Sequence, residues 1–146
     1  MYVEQLYTGC LAEAAYYIES NGEAVIIDPL RETSPYTELA KSRGAKIKYI
    51  FETHFHADFV SGHVELAAKT GATIIYGPGA KTDYKIHEAQ DGEIFELGEL
   101  KIKVLHTPGH TLESASQFAE YENQRPESLA LVDPLRSVQS GFCPTH

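Results

Sequence analysis

Short runs of hydrophobic residues, many with polar residues at alternate positions, recur along the chain and are separated by glycine, proline and asparagine. Alternation with a period of two is typical of β-strands, because successive side chains point to opposite faces of a sheet. The pattern predicts strands at residues 3–7, 14–19, 24–27, 48–52, 72–76, 84–87, 93–95, 100–106, 114–119 and 128–132. The Asn21–Gly22 pair between the second and third runs predicts a tight hairpin.

Two stretches carry helical signals. Residues 35–43 follow Thr33 or Ser34 as a capping residue, with Pro35 in the first turn and Gly44 at the end. Residues 60–70 form the second predicted helix, which Gly71 closes and whose expected apolar face consists of Val64, Leu66, Ala67 and Ala68. Strands with interspersed helices predict an α/β (α+β) sandwich of helix-covered sheets, antiparallel from about residue 84 onward.

Composition places the chain among ordinary globular proteins. Its 146 residues suffice for one domain with a sizeable core, and 42% hydrophobic and 23% charged residues are typical values. The formal charge of −9 argues against nucleic acid and anionic membranes as partners. No apolar run has the length of a membrane span, and the start lacks a signal-like pattern, so a cytoplasmic location is expected. Cys10 and Cys143 are expected to be free thiols.

The strongest chemical signal follows the strand at 48–52. His54, His56 and Asp58 are two residues apart, and in extended backbone side chains at that spacing leave on the same side. A helix would turn them about 200° apart. Two imidazoles and a carboxylate gathered at a strand end suit a divalent metal such as zinc or iron(II). The alternative is a polar loop, although packing does not require that alternation.

A second histidine stands at a predicted corner. In Thr107-Pro108-Gly109, proline and glycine suit the central positions of a type II turn, which presents His110 after the strand that ends at His106. An ordinary turn histidine is the alternative. The other histidines are expected to serve packing or to lie at the surface: His63, His87, His106 and His146.

These motifs resemble the metallo-β-lactamase fold superfamily. Residues 53–63, Thr-His-Phe-His-Ala-Asp-Phe-Val-Ser-Gly-His, and residues 107–114, Thr-Pro-Gly-His-Thr-Leu-Glu-Ser, are similar to its persulfide dioxygenase branch, including members fused to rhodanese domains. The resemblance implies an αββα sandwich, covers about residues 1–133, and does not include the tail at 134–146. The superfamily pattern normally places another histidine where this chain has Phe59.

The resemblance also implies a ligand set. His54, His110 and Asp133 would bind one Fe(2+) per chain, with Zn(2+) as the alternative, although Asp133 follows valine where the family has glycine. His56 and Asp58 would act as catalytic groups that orient ligands or water, or as additional metal ligands. Because phenylalanine cannot bind metal, Phe59 favours one metal over the two that a glyoxalase II hydrolase would use.

The branch normally continues well beyond the aspartate ligand, so the second half of the sandwich is expected to be truncated here. An uncovered second sheet would favour a homodimer, and a rhodanese partner is a further expectation. Three functions follow from the sequence. They are an iron(II)-dependent dioxygenase that oxidises a small-molecule thiol persulfide to sulfite, a zinc-dependent thioester hydrolase of the glyoxalase II type, and a catalytically silent metal-binding fragment.

Overall fold

The computed structural model describes residues 2–8, 13–54, 62–107, 115–121 and 130–132. These ranges contain two α-helices and ten β-strands. The helices are α1 (Ser34–Ser42) and α2 (His63–Thr70). The strands are β1 (Tyr2–Thr8), β2 (Glu13–Ser20), β3 (Glu23–Ile27), β4 (Lys46–Glu52), β5 (Thr73–Tyr76), β6 (His87–Glu88), β7 (Ile94–Leu97), β8 (Leu100–His106), β9 (Ala115–Tyr121) and β10 (Ala130–Val132). Neither described helix is long and apolar enough to cross a membrane.

The first sheet has the strand order β1-β2-β3-β4-β5-β6. Strands β1 to β3 are antiparallel, whereas β3 to β6 are parallel, since α1 and α2 return the chain to the same edge before β4 and β5. Ile27 of β3 pairs with Phe51 of β4. This register places the residues that follow β3 beside those that follow β4.

The second sheet is antiparallel, with the order β10-β9-β8-β7. Within it, β8 pairs with β9 without a register shift, from Leu100 opposite Tyr121 to His106 opposite Ala115. The mixed α/β fold and the antiparallel second half are both confirmed. The prediction was wrong for one strand. The run at 84–87 is strand only from His87, and this strand, β6, pairs in parallel with β5 in the first sheet.

Alternate residues of the first sheet face two different hydrophobic layers. Val25 and Ile27 of β3 pack between the sheets, together with Phe51, Phe95 and Ile102. The intervening residues pack beneath the helices, among them Ala24, Ile26, Ile50, Tyr36 and Leu66. Both faces of β3 are covered from Ala24 to Ile27, which explains why these four residues are all apolar.

The second helix differs from its prediction. It begins at His63, with Gly62 outside it at the N-cap, so the predicted start at Val60 is three residues too early; Val60 itself lies outside the described residues. Of the expected apolar face, Leu66 is fully buried but Val64 is 47% exposed. With only two turns, α2 presents one narrow side to the sheet, and Val64 lies on the other.

The first helix agrees with its prediction except at the cap. Thr33 occupies the N-cap but makes no side-chain capping bond, and its hydroxyl accepts a hydrogen bond from Lys69 Nζ at 2.9 Å. Thr33 therefore joins α1 to α2 instead of capping α1. Asn21 and Gly22 have φ of 50° and 80°, which confirms the tight hairpin.

Glu23 joins the two sheets, which predicts a pH-dependent effect. Its Oε2 accepts from Gly98 N at 2.8 Å and lies 3.5 Å from Lys48 Nζ. The bond from Gly98, followed by the charge of Lys48, lowers the pKa of Glu23. A lowered folded-state pKa contributes stability above the unfolded value, and that stability is lost as the pH falls through the folded pKa.

We expect Glu23→Gln to lower the free energy of unfolding at pH 7 by about half a kcal/mol, since the pair is solvent-screened. Glutamine keeps an acceptor for Gly98, so the change isolates the charge. The difference from wild type should shrink as the pH falls below about 4. Urea unfolding at several pH values measures it, and a difference that does not depend on pH would contradict the electrostatic origin.

Candidate functional site

One of the five predicted site residues lies in the described part of the chain. His54 follows β4 and is 8% exposed. His56, Asp58, His110 and Asp133 lie outside the described residues. Among the described ranges, no three histidine, cysteine or acidic side chains come together in a way that could hold a metal. The complete ligand set therefore stays a prediction, and the structure bears on the environment of His54.

His54 lies at the carboxyl end of the parallel part of the first sheet. β4 is flanked by β3 and β5, and all three run in the same direction. Side chains that follow parallel strands converge at one edge, where α/β proteins commonly bind ligands. The location agrees with a site formed at strand ends.

A hydrogen-bond chain holds the His54 ring. Thr53 donates to Asp28 twice, from its backbone N to Oδ1 at 2.8 Å and from its hydroxyl to Oδ2 at 2.7 Å. The same hydroxyl oxygen lies 2.9 Å from His54 Nδ1. A hydroxyl has one proton, and Asp28 takes it, so the bond to His54 must be donated by Nδ1–H. His54 therefore presents the lone pair of Nε2, the form in which a histidine binds metal.

The backbone of Asp28 is unusual. Its φ is +53°, in the left-handed region that side-chain-bearing residues rarely adopt, although aspartate tolerates it better than most. Its backbone N donates to Phe51 O at 2.9 Å, which continues the pairing of β3 with β4 one residue further. This conformation turns the carboxylate toward Thr53. Strain at such a position is typical of functional sites.

The segment Asp28–Leu30, here called the anchor segment, also binds Gly62, the first described residue after residues 55–61. Gly62 N donates to Pro29 O at 3.1 Å. A Cβ atom on Gly62 would lie only 2.1 Å from Leu30 O, so only glycine fits this approach. Leu30 N in turn donates to the hydroxyl of buried Tyr36 at 2.8 Å. Thr53 before residues 55–61 and Gly62 after them are thus both hydrogen-bonded to the anchor segment.

A second polar cluster lies beside the start of α2. His63 Nε2 is 2.7 Å from the Tyr84 hydroxyl, which is 3.1 Å from the Tyr76 hydroxyl. His63 Nδ1 is 3.5 Å from Oε1 of buried Glu52. Burial, then the charge of Glu52, raises the pKa of Tyr76, and burial is also the main cause that raises the pKa of Tyr84. Both phenols stay neutral and serve as hydrogen-bonding groups, which agrees with a packing role for His63.

Sequence reasoning missed Asp28 and Thr53 as site residues. The sequence pattern predicted no site role for Asp28, and Thr53 entered only as part of the motif at residues 53–63. Asp28 carries an available signal, since it is a polar residue directly after the apolar run at 24–27. The carboxyl ends of neighbouring parallel strands meet at one edge of a sheet, so such a residue is a candidate for a site there.

Comparison with known proteins adds the family. The family model described as "Metallo-beta-lactamase superfamily" matches residues 8–123. Hydroxyacylglutathione hydrolase from Nitrosococcus oceani is 32% identical over 98% of this chain and 55% of the relative. The corresponding protein from Pelagibacter ubique is 34% identical over 90% of this chain and 55% of the relative. The chain thus spans about half the length of these relatives.

Solved structures are similar as well. A metallo-beta-lactamase from Staphylococcus aureus matches with a TM-score of 0.76 and 41% identity, over 84% of this chain and 39% of that chain. ETHE1 from Myxococcus xanthus matches with a TM-score of 0.75 and 27% identity, over 82% of this chain and 54% of that chain. The family model covers most of this chain, and the fold agrees with these two solved structures. This chain therefore belongs to the metallo-β-lactamase superfamily.

Proposed function

We propose that this chain provides the metal-binding part of a hydrolase that cleaves thioesters of a low-molecular-weight thiol, of the kind named hydroxyacylglutathione. Relatives with that name are similar over nearly the whole chain, which supports the substrate class. The observation that carries the proposal is the buried Asp28–Thr53–His54 chain, which leaves His54 Nε2 as a lone-pair donor at the carboxyl edge of the sheet. Because the chain spans only part of these relatives, substrate recognition by further residues is included in the proposal.

The donor set fits a metal. His54 supplies one imidazole of fixed tautomer, and we propose His110 and Asp133 as the other ligands. His56 and Asp58 are proposed to orient ligands and water. A bound zinc ion would act as a Lewis acid and lower the pKa of a bound water to about 7. The protein's own contribution is to hold the His54 ring through Thr53.

A second candidate function has a specific observation in its favour. Phe59 stands where the superfamily pattern has a second-site histidine, and its side chain has no metal donor. One metal with two histidines, one carboxylate and open positions is the arrangement of iron(II) oxygenases. The similarity to ETHE1 also agrees with the persulfide dioxygenase branch. The candidate is an iron(II)-dependent dioxygenase acting on a small-molecule thiol persulfide.

Metal-loaded samples separate these functions. The chain would be purified without oxygen, analysed for bound metal, and reloaded with zinc or with iron(II). For the hydrolase we expect the zinc form to hydrolyse a hydroxyacylglutathione thioester, measured by thiol release. Oxygen consumption with glutathione persulfide in the iron form would instead establish the second candidate. Stoichiometric metal with neither activity would support the silent metal-binding fragment.

Two variants test the ligand assignment in the same samples. His110→Ala is expected to abolish stoichiometric metal binding, because a three-ligand site loses a third of its donors. His56→Ala should weaken binding less, since its role is orientation. Equal losses from both would make His56 a direct ligand and argue for a second metal. The homodimer and the rhodanese partner stay predictions that a sizing measurement and a binding assay would examine.

A further inference from the structure

A groove lies beside α2. Its volume is about 530 Å³, and it is bounded by α2, the start of β5 and residues 84–87. Tyr49 and Ile50 of β4 pair with Thr73 and Ile74 of β5, so the strand residues of the groove lie level with the middle of β4. His54 follows the carboxyl end of that strand. His54, the one predicted site residue that the structure describes, does not line this space, which is named the α2 groove.

The walls of the α2 groove are mainly aliphatic and small. Ala67 and Ala68 of α2, Ile74 of β5 and Ile86 line it, and Ala67 and Ile86 also pack against the cluster that contains buried Ile74. Val64 extends the helix side and is 47% exposed, although exposed large hydrophobic side chains are rare in the described part of the chain. Alanine at successive positions of a helix leaves room for a ligand beside the backbone. The volume lies within the roughly 300–1,000 Å³ of small-molecule sites.

Among the polar residues that line the α2 groove, Lys85 carries a positive charge that forms no ion pair with a described residue. His87 Nε2 is bound to Glu93 Oε2 at 2.5 Å. The Tyr84 hydroxyl is held by His63 and Tyr76. Lys85 is exposed and has no ion pair or hydrogen bond with any residue that the structure describes. In a chain with a formal charge of −9, an unpaired ammonium at the rim of an aliphatic groove is a distinct feature.

The nearest acidic residue of α2 does not neutralise this charge. Glu65 does not line the groove and is paired with Lys69 at 3.0 Å. Lys69 also donates to Thr33, which lies on the α1 side of the helix. The acidic surface of α2 is therefore directed away from Lys85, and an incoming anion meets no described carboxylate on the groove side of the helix.

We propose that the α2 groove binds a small amphiphilic monoanion, namely a carboxylate with an aliphatic body. The carboxylate pairs with Lys85, and the hydrocarbon lies against the exposed side chains of Val64 and Ala68 and against half-buried Ile86. A single lysine provides one compact charge, which suits one carboxylate and not a polyanion. The proposal does not depend on the bound metal or on the proposed hydrolase activity.

The test is a titration of the full chain with octanoate, monitored by the NMR shifts of the backbone amides. The octanoate concentration stays below the value at which octanoate forms micelles. We expect saturable shifts confined to α2, the start of β5 and residues 84–87. Acetate has the head group without the body, and octyltrimethylammonium has the body with the opposite charge, so both should bind more weakly. Equal binding of octanoate and octyltrimethylammonium, or shifts spread over the whole chain, would overturn the proposal.

Two variants with matched controls locate the ligand. Lys85→Glu should weaken octanoate binding about tenfold, the usual scale for a hydrogen bond to a charged group. Lys81→Glu makes the same charge change at an exposed lysine that does not line the groove and should leave binding unchanged. Equal weakening by both variants would mean a general charge effect and no site at Lys85.

Ala68→Leu tests the aliphatic part of the site. Position 68 is exposed on α2, and leucine is a good helix former, so the fold should be retained while the groove is filled. We expect octanoate binding to be lost with an unchanged melting temperature. Glu65→Leu places the same side chain on the same helix outside the groove and should still bind. Wild-type binding by Ala68→Leu would refute this location of the site.

Discussion

Thr53→Val is expected to weaken metal binding by about ten- to a hundredfold, the usual effect of removing a group that orients a metal-binding histidine. Valine has nearly the shape of threonine but lacks the hydroxyl that accepts the bond from His54 Nδ1. The ring then loses both its orientation and its preferred tautomer. Competition with a chromophoric chelator measures the metal affinity.

The same substitution should also lower the free energy of unfolding by about 1–3 kcal/mol, since Asp28 Oδ2 would lose a donor in a buried place. Thr53→Ser restores the hydroxyl and should recover most of the metal affinity. Thr37→Val removes a hydroxyl that donates to Ser34 O in α1, and it should leave metal binding unchanged. If Thr53→Val binds metal as tightly as Thr37→Val does, the hydrogen-bond chain does not position His54.

The tautomer gives this prediction a direct signature. In the metal-free protein, nitrogen NMR should show His54 protonated at Nδ1. Asp28→Asn can present an amide donor to the Thr53 hydroxyl, which then becomes free to donate its own proton to His54 Nδ1. The proton would move to Nε2, the atom proposed to bind metal, and affinity should fall although the fold is kept. Wild-type protein with the proton on Nε2 would contradict the argument.

Gly62→Ala is expected to lower the free energy of unfolding by more than about 3 kcal/mol, because its Cβ would meet fixed backbone. The new atom would lie 2.1 Å from Leu30 O and 3.0 Å from Thr33 Cγ2. The φ of Gly62 is −89°, which any residue can adopt, so the whole effect is steric. Thermal and urea unfolding measure the stability, and metal affinity should fall as well, since Gly62 directly follows the segment 55–61 that contains His56 and Asp58, the residues proposed to orient ligands and water.

Gly71→Ala is the matched control at the other end of α2. Gly71 has φ of +74° but nothing within 4 Å of an added Cβ, so its substitution carries conformational strain without a collision. We expect a loss of about 1–2 kcal/mol there and no change in metal affinity. If Gly62→Ala costs no more than Gly71→Ala, the contact between Gly62 and the anchor segment is looser than the structure indicates.

The hydrophobic pattern predicted most of the fold because strands and their faces follow from local alternation. Every described strand except β6 was predicted within two residues of its ends, and the hairpin at Asn21 and Gly22 was predicted from the turn chemistry. The prediction failed where local signals are weak. β6 has only two residues, and its partner β5 is separated from it by a loop whose path the sequence does not encode locally.

Helix α2 shows the same limit at its ends and faces. Periodicity identified the helix, but Gly62 is outside it because the close approach of Leu30 O determines where the helix begins. Val64 was assigned to the buried face and is half exposed, because a two-turn helix contacts the sheet along one narrow line. That exposure creates part of the α2 groove, which sequence reasoning did not predict.

By itself, the sequence determined the mixed α/β class, the strand pattern and the motif at 53–63 that identifies the superfamily. These features are local, since they depend on residue types at neighbouring positions. Only the tertiary structure decided that Asp28 holds Thr53, 25 residues further along the chain, and through it selects the protonated nitrogen of His54. The parallel register of Ile27 with Phe51 brings these residues together, and that register is set by the packing of two sheets and two helices and not by any local signal.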